Sequence, residues 1–211
     1  MLIWKILLPL TAYLLGNFNA GIVFSRLIYK KDIREHGSRN PGTTNAFRVL
    51  GKAAGFLVLF FDALKGAMAV LLARWLLPGM ELWTAVAGLC AMLGHIFPVL
   101  YKFKGGKGVA TTAGVTLAAQ PKVLFTLLGP FFALLFGTKY MSLASVSAAA
   151  LLPLVSLAWN RWQFTPIIWM ALAQAVLMIF MHRENIRRLA QGKESRLFQG
   201  KEKVVADRKV M

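Results

Sequence analysis

Stretches of apolar sequence long enough to cross a lipid bilayer recur along the whole chain. A crossing takes about 20 residues at about 1.5 Å of helix rise each. Such runs lie at roughly 2–28, 53–77, 81–101, 143–160 and 164–181, with one more apolar region at 109–138. Inside a bilayer every backbone polar group must find its partner within the protein, so these runs predict helices. Composition agrees: 57% of the 211 residues are hydrophobic and 16% are charged, against about 45–50% and about 25% in an ordinary soluble domain. Disorder is excluded, because its signature is low hydrophobicity, and a soluble globule of this size cannot hide so much apolar surface. What remains is an all-α, polytopic integral membrane protein, with residues 1–196 as a single domain and 197–211 as a basic tail.

The region 109–138 is interrupted by Gln120-Pro121-Lys122, and the residue before a proline is pushed away from helical geometry. Charge decides how to read it. Arg26, Lys30, Lys31, Arg34, Arg39, Arg48 and Lys52 fill the first loop; Arg183, Arg187, Arg188, Lys193, Arg196, Lys201, Lys203, Arg208 and Lys209 fill the C-terminal end. Cytoplasmic segments are rich in Lys and Arg, so both blocks belong inside and an even number of crossings separates them. That requires splitting 109–138 into 109–119 and 123–138. Seven spans follow, with the N-terminus outside and the C-terminus cytoplasmic; the short 109–119 segment is a partial helix inside the bundle. This arrangement places 20 of the 25 Lys and Arg residues inside, and only Lys5, Arg74, Lys122 and Arg161 outside, with Lys65 within a span. The net charge of +17 therefore reports orientation, not a nucleic-acid partner. A cleaved signal peptide ending near Ala20-Gly21 is disfavoured, because cleavage would leave the first basic loop outside.

The unusual polar residues collect on the cytoplasmic side of this arrangement. Ser38, Asn40, Asn45 and Arg48 lie in a Gly-, Asn- and Thr-rich loop suited to positive-φ turns and anion-binding backbone nests; Thr43 or Thr44 is the expected cap of a short helix reaching Leu50. Lys104-Gly105-Gly106-Lys107-Gly108 runs straight into a helix start, where N–H groups and the helix dipole favour an anion. It is not a Walker A loop, since Lys107 is followed by Gly108 rather than Ser or Thr. Ser142 and Ser145 open a span, where serine is usually a cap. His182 and Asn185, three apart, are expected on one helix face at the membrane boundary. Asp62 and Lys65 read as a structural ion pair within a span, and His95 as a buried hydrogen-bonding group. One cysteine, Cys90, and three scattered histidines show no metal-ligand spacing, so no metal or other cofactor is expected.

These motifs together resemble the bacterial acyl-phosphate:glycerol-3-phosphate acyltransferase family, the PlsY type. The residues that carry the likeness are GSRNPGTTN from Gly37 with Arg48, DALKG from Asp62, GHIFPVLYKFKGGKGVAT from Gly94, SLAS from Ser142, HRENI from His182 and GKES from Gly192. The likeness extends to about Arg196. It implies transfer of a long-chain acyl group from acyl phosphate to the 1-hydroxyl of glycerol 3-phosphate, giving lysophosphatidic acid and phosphate, at the cytoplasmic face of the bacterial inner membrane. It also implies roles. Ser38, Asn40, Asn45 and Arg48 line the first-loop side; Lys104, Lys107 and Gly105, Gly106 and Gly108 bind phosphate, helped by Ser142 and Ser145. His182 and Asn185 complete the pocket and Glu194 positions the tail. His182 is either a phosphate ligand or a general base. Membrane lipid and the enzyme that makes the acyl phosphate are the further partners implied. Arg39 and Thr43 depart from the family pattern, where a small residue and Ala are usual.

Two other classes are weighed against this. A transporter of a phosphate-bearing anion needs polar sites near the midplane reached from both sides, and only Asp62 and Lys65 are placed for that. A membrane scaffold has no need of glycine-rich phosphate cradles.

Overall fold

The computed structural model describes residues 1–197; residues 198–211 of the expected basic tail lie outside them. The described chain is helical, with α1 (Leu2–Asn17), α2 (Ala20–Tyr29), α3 (Thr43–Val49), α4 (Lys52–Leu76) and α5 (Glu81–Ile96) in its first half. The second half holds α6 (Val109–Ala119), α7 (Pro121–Thr138), α8 (Met141–Trp159), α9 (Pro166–Met181) and α10 (Arg183–Ala190). Among the described residues four segments are long and apolar enough to cross a membrane: α4, α5 with the turn after it, α7 and α8. The count is six if each of two bent pairs, α1 with α2 and α9 with α10, forms one span. Phe56, Phe60, Trp75, Phe125, Phe136 and Trp169 stand exposed around the outside, as a lipid-facing surface requires.

The run expected as one first span, 2–28, is two helices bent by 41°. Two asparagine side chains fix the break. The Asn19 side chain accepts the Ile22 N–H at 3.2 Å and starts a new helix, while Asn17 accepts the Leu100 N–H at 3.3 Å. The break at Gln120-Pro121 stands where proline geometry puts it, with Pro121 opening α7. α6 has 11 residues and is packed into the bundle. Its C-terminal carbonyls, which a helix end leaves orphaned, are taken by Arg74: the guanidinium donates to Ala118 O at 2.6 Å and Ala119 O at 2.9 Å.

Glycine sets the closest crossings. A Cβ on Gly114 would overlap the Ala63 carbonyl, and one on Gly66 would overlap that of Thr111, so α4 and α6 touch backbone to backbone. Gly16 and Gly94 do the same for α1 and α5. Other small residues also lie at helix contacts: Gly88 faces Met170 and Val115, and Ala144 and Ala149 are buried.

Candidate active site

One end of the bundle, where α6 begins, gathers most of the polar chemistry. The segment before α6 is laid along the end of α5: Gly105 N–H donates to Ile96 O and Gly106 N–H to His95 O, both at 3.1 Å. A Cβ at either glycine would strike His95. Gly108 then turns left-handed, with φ of 85°, to start α6. The glycines thus serve first to let the loop lie flat on His95, and Lys107 is carried inward between them.

Lys107 Nζ donates to Asn185 Oδ1. Asn185 Nδ2 donates to Glu194 Oε1 at 2.7 Å, Ser142 Oγ donates to the same oxygen at 2.8 Å, and Arg188 Nε holds Glu194 Oε2 at 2.7 Å. Leu197 N–H donates to Lys139 O at 2.9 Å, so the strand of chain after α10 is folded against the α7–α8 turn. Glu194 is therefore the centre of a network as well as an anchor for the C-terminal segment. Ser142 and Ser145 make no side-chain cap of α8: Ser142 serves Glu194, and Ser145 Oγ donates back to Met141 O at 2.9 Å.

His182 and Asn185 do not share one helix. His182 is the hinge between α9 and α10, which meet at 57°; both side chains are nonetheless buried. His182 Nδ1 lies 2.7 Å from Met178 O. A carbonyl only accepts, so Nδ1 carries the ring proton and Nε2 is left as a bare acceptor.

Electrostatics follow from burial. Lys107 is drawn down to about 8, by burial first and then by the charge of Arg188. His182, one residue beyond α9, is pushed down to about 4 by burial and by Lys107, so it is neutral at pH 7. Burial would raise the Glu194 carboxyl, but hydrogen bonds from Asn185, Arg188 and Ser142 outweigh it and hold the group below its ordinary value.

The first loop forms its own cluster. Asn45 Oδ1 accepts Ser38 N–H at 2.9 Å, and its Nδ2 donates to Ile33 O at 3.2 Å and His36 O at 3.0 Å. Its amide is spent on shaping the loop. Asn40 Oδ1 accepts Gly42 N–H at 2.9 Å, and the cap of α3 is Gly42 rather than Thr43 or Thr44. Asp32 joins Arg26 and Arg34, each at 2.8 Å, and Arg34 reaches Tyr101 O at 3.3 Å to tie the loop to the turn after α5. Ser38, Arg39 and Lys104 are exposed and Arg48 is half-buried. Among the described residues no hydrogen bond joins Ser38, Asn40 or Arg48 to Lys107, Asn185 or Ser142. Sequence reasoning missed Arg188 and Arg74, whose partners lie in other segments. It also missed Gly66 and Gly114, although glycines inside apolar spans were the available signal.

A bundle of bent and broken membrane helices, with ammonium, amide and hydroxyl groups gathered at one end, defines a polytopic membrane protein equipped to handle an anion at the lipid boundary. The chain belongs to the glycerol-3-phosphate acyltransferase family, whose profile matches residues 6–192. A glycerol-3-phosphate acyltransferase of Staphylococcus carnosus (strain TM300) is 40% identical over 199 residues, covering 91% of this chain and 97% of that protein. One of Staphylococcus aureus (strain Newman) is 42% identical over the same length and shares. Two crystal structures of PlsY (YgiH), an integral membrane glycerol 3-phosphate acyltransferase, share the fold at 38% identity, covering 91% of this chain and 94% of theirs. The glycerol 3-phosphate form superposes with a TM-score of 0.86 and the lysophosphatidic acid form with 0.83.

Proposed function

We propose that the chain moves a long-chain acyl group from acyl phosphate to the 1-hydroxyl of glycerol 3-phosphate, with lysophosphatidic acid and inorganic phosphate as products. The observation that carries this reading is the Lys107–Asn185–Glu194–Ser142 network beside neutral His182, at the end of an apolar bundle. Both substrates bring phosphate, and one brings an acyl chain that fits only a lipid-facing site. Family membership and the two named forms of the related crystal structures support it.

The reaction is substitution at an acyl carbon. The 1-hydroxyl oxygen bonds to the carbonyl carbon, the bond from that carbon to the phosphate oxygen breaks, and the hydroxyl proton ends on phosphate. The leaving group is good, so alignment and charge stabilisation supply most of the acceleration. Lys107 neutralises phosphate, Asn185 fixes the direction of its ammonium, Ser142 and Asn185 hold Glu194 in place, and Arg188 adds charge nearby. His182, with only a bare Nε2 to offer, accepts a hydrogen bond from the attacking hydroxyl. This favours an orienting role over that of a phosphate ligand, and a substrate phosphate oxygen takes the proton. Ser38, Asn40 and Arg48 face the second phosphate from the first loop, which Asn45 shapes. Lys104 and the helix start at Gly108 add positive potential, and Ser145 backs Ser142 on α8.

The same reading places the protein in the bacterial inner membrane, with seven segments, α6 the short one, the N-terminus outside and the site at the cytoplasmic face. Residues 1–196 are the catalytic domain, and the basic stretch that follows meets anionic headgroups. The test is an assay of purified protein in lipid, following phosphate release from acyl phosphate with glycerol 3-phosphate. Release that requires both substrates is expected. Turnover with acyl-CoA or acyl carrier protein donors, and none with acyl phosphate, rejects the reading.

A further inference from the structure

Three ionisable side chains outside the proposed site are buried together: Asp62, Lys65 and His95, at 1%, 4% and 2% exposure. The Lys65 ammonium spends its three protons on three different parts of the fold. It donates to Asp62 Oδ1 at 2.7 Å, to Phe18 O at 2.6 Å and to His95 Nδ1 at 2.8 Å. Phe18 is the break between α1 and α2, Asp62 and Lys65 are on α4, and His95 is near the end of α5. Because Lys65 donates to Nδ1, the ring proton of His95 sits on Nε2. That edge of the ring faces Gly106: a Cβ there would overlap Nε2 and crowd Cε1. The loop backbone is zipped to the same residue through Gly106 N–H and His95 O at 3.1 Å.

A buried ion pair is a costly feature inside a membrane, where charged groups pair and usually serve function. An ion pair that only stapled α4 to itself would not need the third bond, to a histidine on another helix. We infer that Asp62, Lys65 and His95 form a positioning triad that sets the Gly105–Gly106 backbone, and through it the reach of Lys107. Asp62 holds Lys65, Lys65 fixes the angle and tautomer of the His95 ring, and the ring is the surface on which the glycine loop lies. Phe18 O, on the same ammonium, couples this setting to the break that leads into the first loop. The inference rests on the reading of Lys107 as a phosphate ligand.

The test uses full-length protein in lipid and separates KM from kcat. His95→Asn keeps an oxygen near the Nδ1 position for Lys65 while removing the ring edge beneath Gly106. The expected result is a rise of about tenfold in KM for a phosphate-bearing substrate with kcat changed less than threefold, because ground-state and transition-state binding are lost together. Gly106→Ala should raise KM at least as much, by collision with the ring. In the double variant the collision is relieved, so its KM should fall below the product of the two single effects. Unchanged KM in His95→Asn, or single effects that simply multiply, overturns the triad. A lowered thermal midpoint with normal KM also overturns it, as the mark of a role in stability alone. Should His95→Asn fail to fold, His95→Ala, which also removes the ring edge beneath Gly106, takes its place in the same comparison. Lys107→Met is the control. Normal kinetics there would sink the phosphate reading itself; impaired kinetics there with normal His95 variants would sink only the triad.

Discussion

Lys107 concentrates the demands of the site on one group, and its surroundings give it a pH signature. Burial favours the neutral amine, so the charged form is present below about 8 and is lost above it. kcat/KM, which reports the free enzyme, should therefore fall as pH rises through about 8. In Lys107→Arg any remaining activity should lose that alkaline limb, since guanidinium stays charged. His182 should contribute no acid limb near 6.5, because its ring is already neutral down to about 4. His182→Ala should lower kcat by about 100-fold through lost alignment. Retained kcat with a much higher KM would assign the ring to phosphate instead. The residue types at this site could be read from the chain, since glycines, lysine and amides in short order announce an anion. Their partners could not. Glu194 meets Ser142 across 52 residues of chain, and no local pattern encodes that distance.

Among the elements, α6 shows how a short helix is kept inside a bundle. Its last turn leaves carbonyls without intrahelical partners, and Arg74 of α4, itself exposed, supplies the missing donors. Arg74→Met should cost about 1 kcal/mol, because both hydrogen bonds lie at an exposed position where the carbonyls can find other partners, seen as a slightly lower thermal midpoint in detergent. Gly114→Val should prevent the close approach of α6 to Ala63, because the obstacle is backbone and cannot move aside; no folded protein is expected. Gly129→Ala, in α7 with nothing within 4 Å of the new methyl, should be tolerated. The two broken spans differ in how far sequence reveals them. Pro121 restricts its neighbour by covalent geometry alone, so the split before α7 is written locally. The break after Asn17 depends on side chains finding partners such as Leu100 N–H, and a hydropathy pattern passes straight over it.

For the molecule as a whole, topology is the property with the sharpest test. In a Cys90→Ala background, Lys31→Cys should be shielded from a membrane-impermeant thiol reagent added to intact cells, and Arg161→Cys should be labelled. The reverse pattern would invert the orientation. Asp62 and Lys65, the residues a transporter would need at mid-membrane, hold each other and His95. A vestibule built on them would first have to break that network.

Sequence alone determined that the chain is an all-α membrane protein, that a break falls at Pro121 and which polar residue types gather near one end of the bundle. Each of these rests on short-range physics: the cost of burying polar backbone in lipid, the ring of proline, the chemistry of side chains. The tertiary structure decided the rest. It set which helices touch through glycine, which carbonyls Arg74 covers and which acceptor His182 uses. It also joined Lys107 to Asn185 and His95 to Lys65. These depend on groups far apart in the chain meeting within hydrogen-bond range, and only packing brings them there.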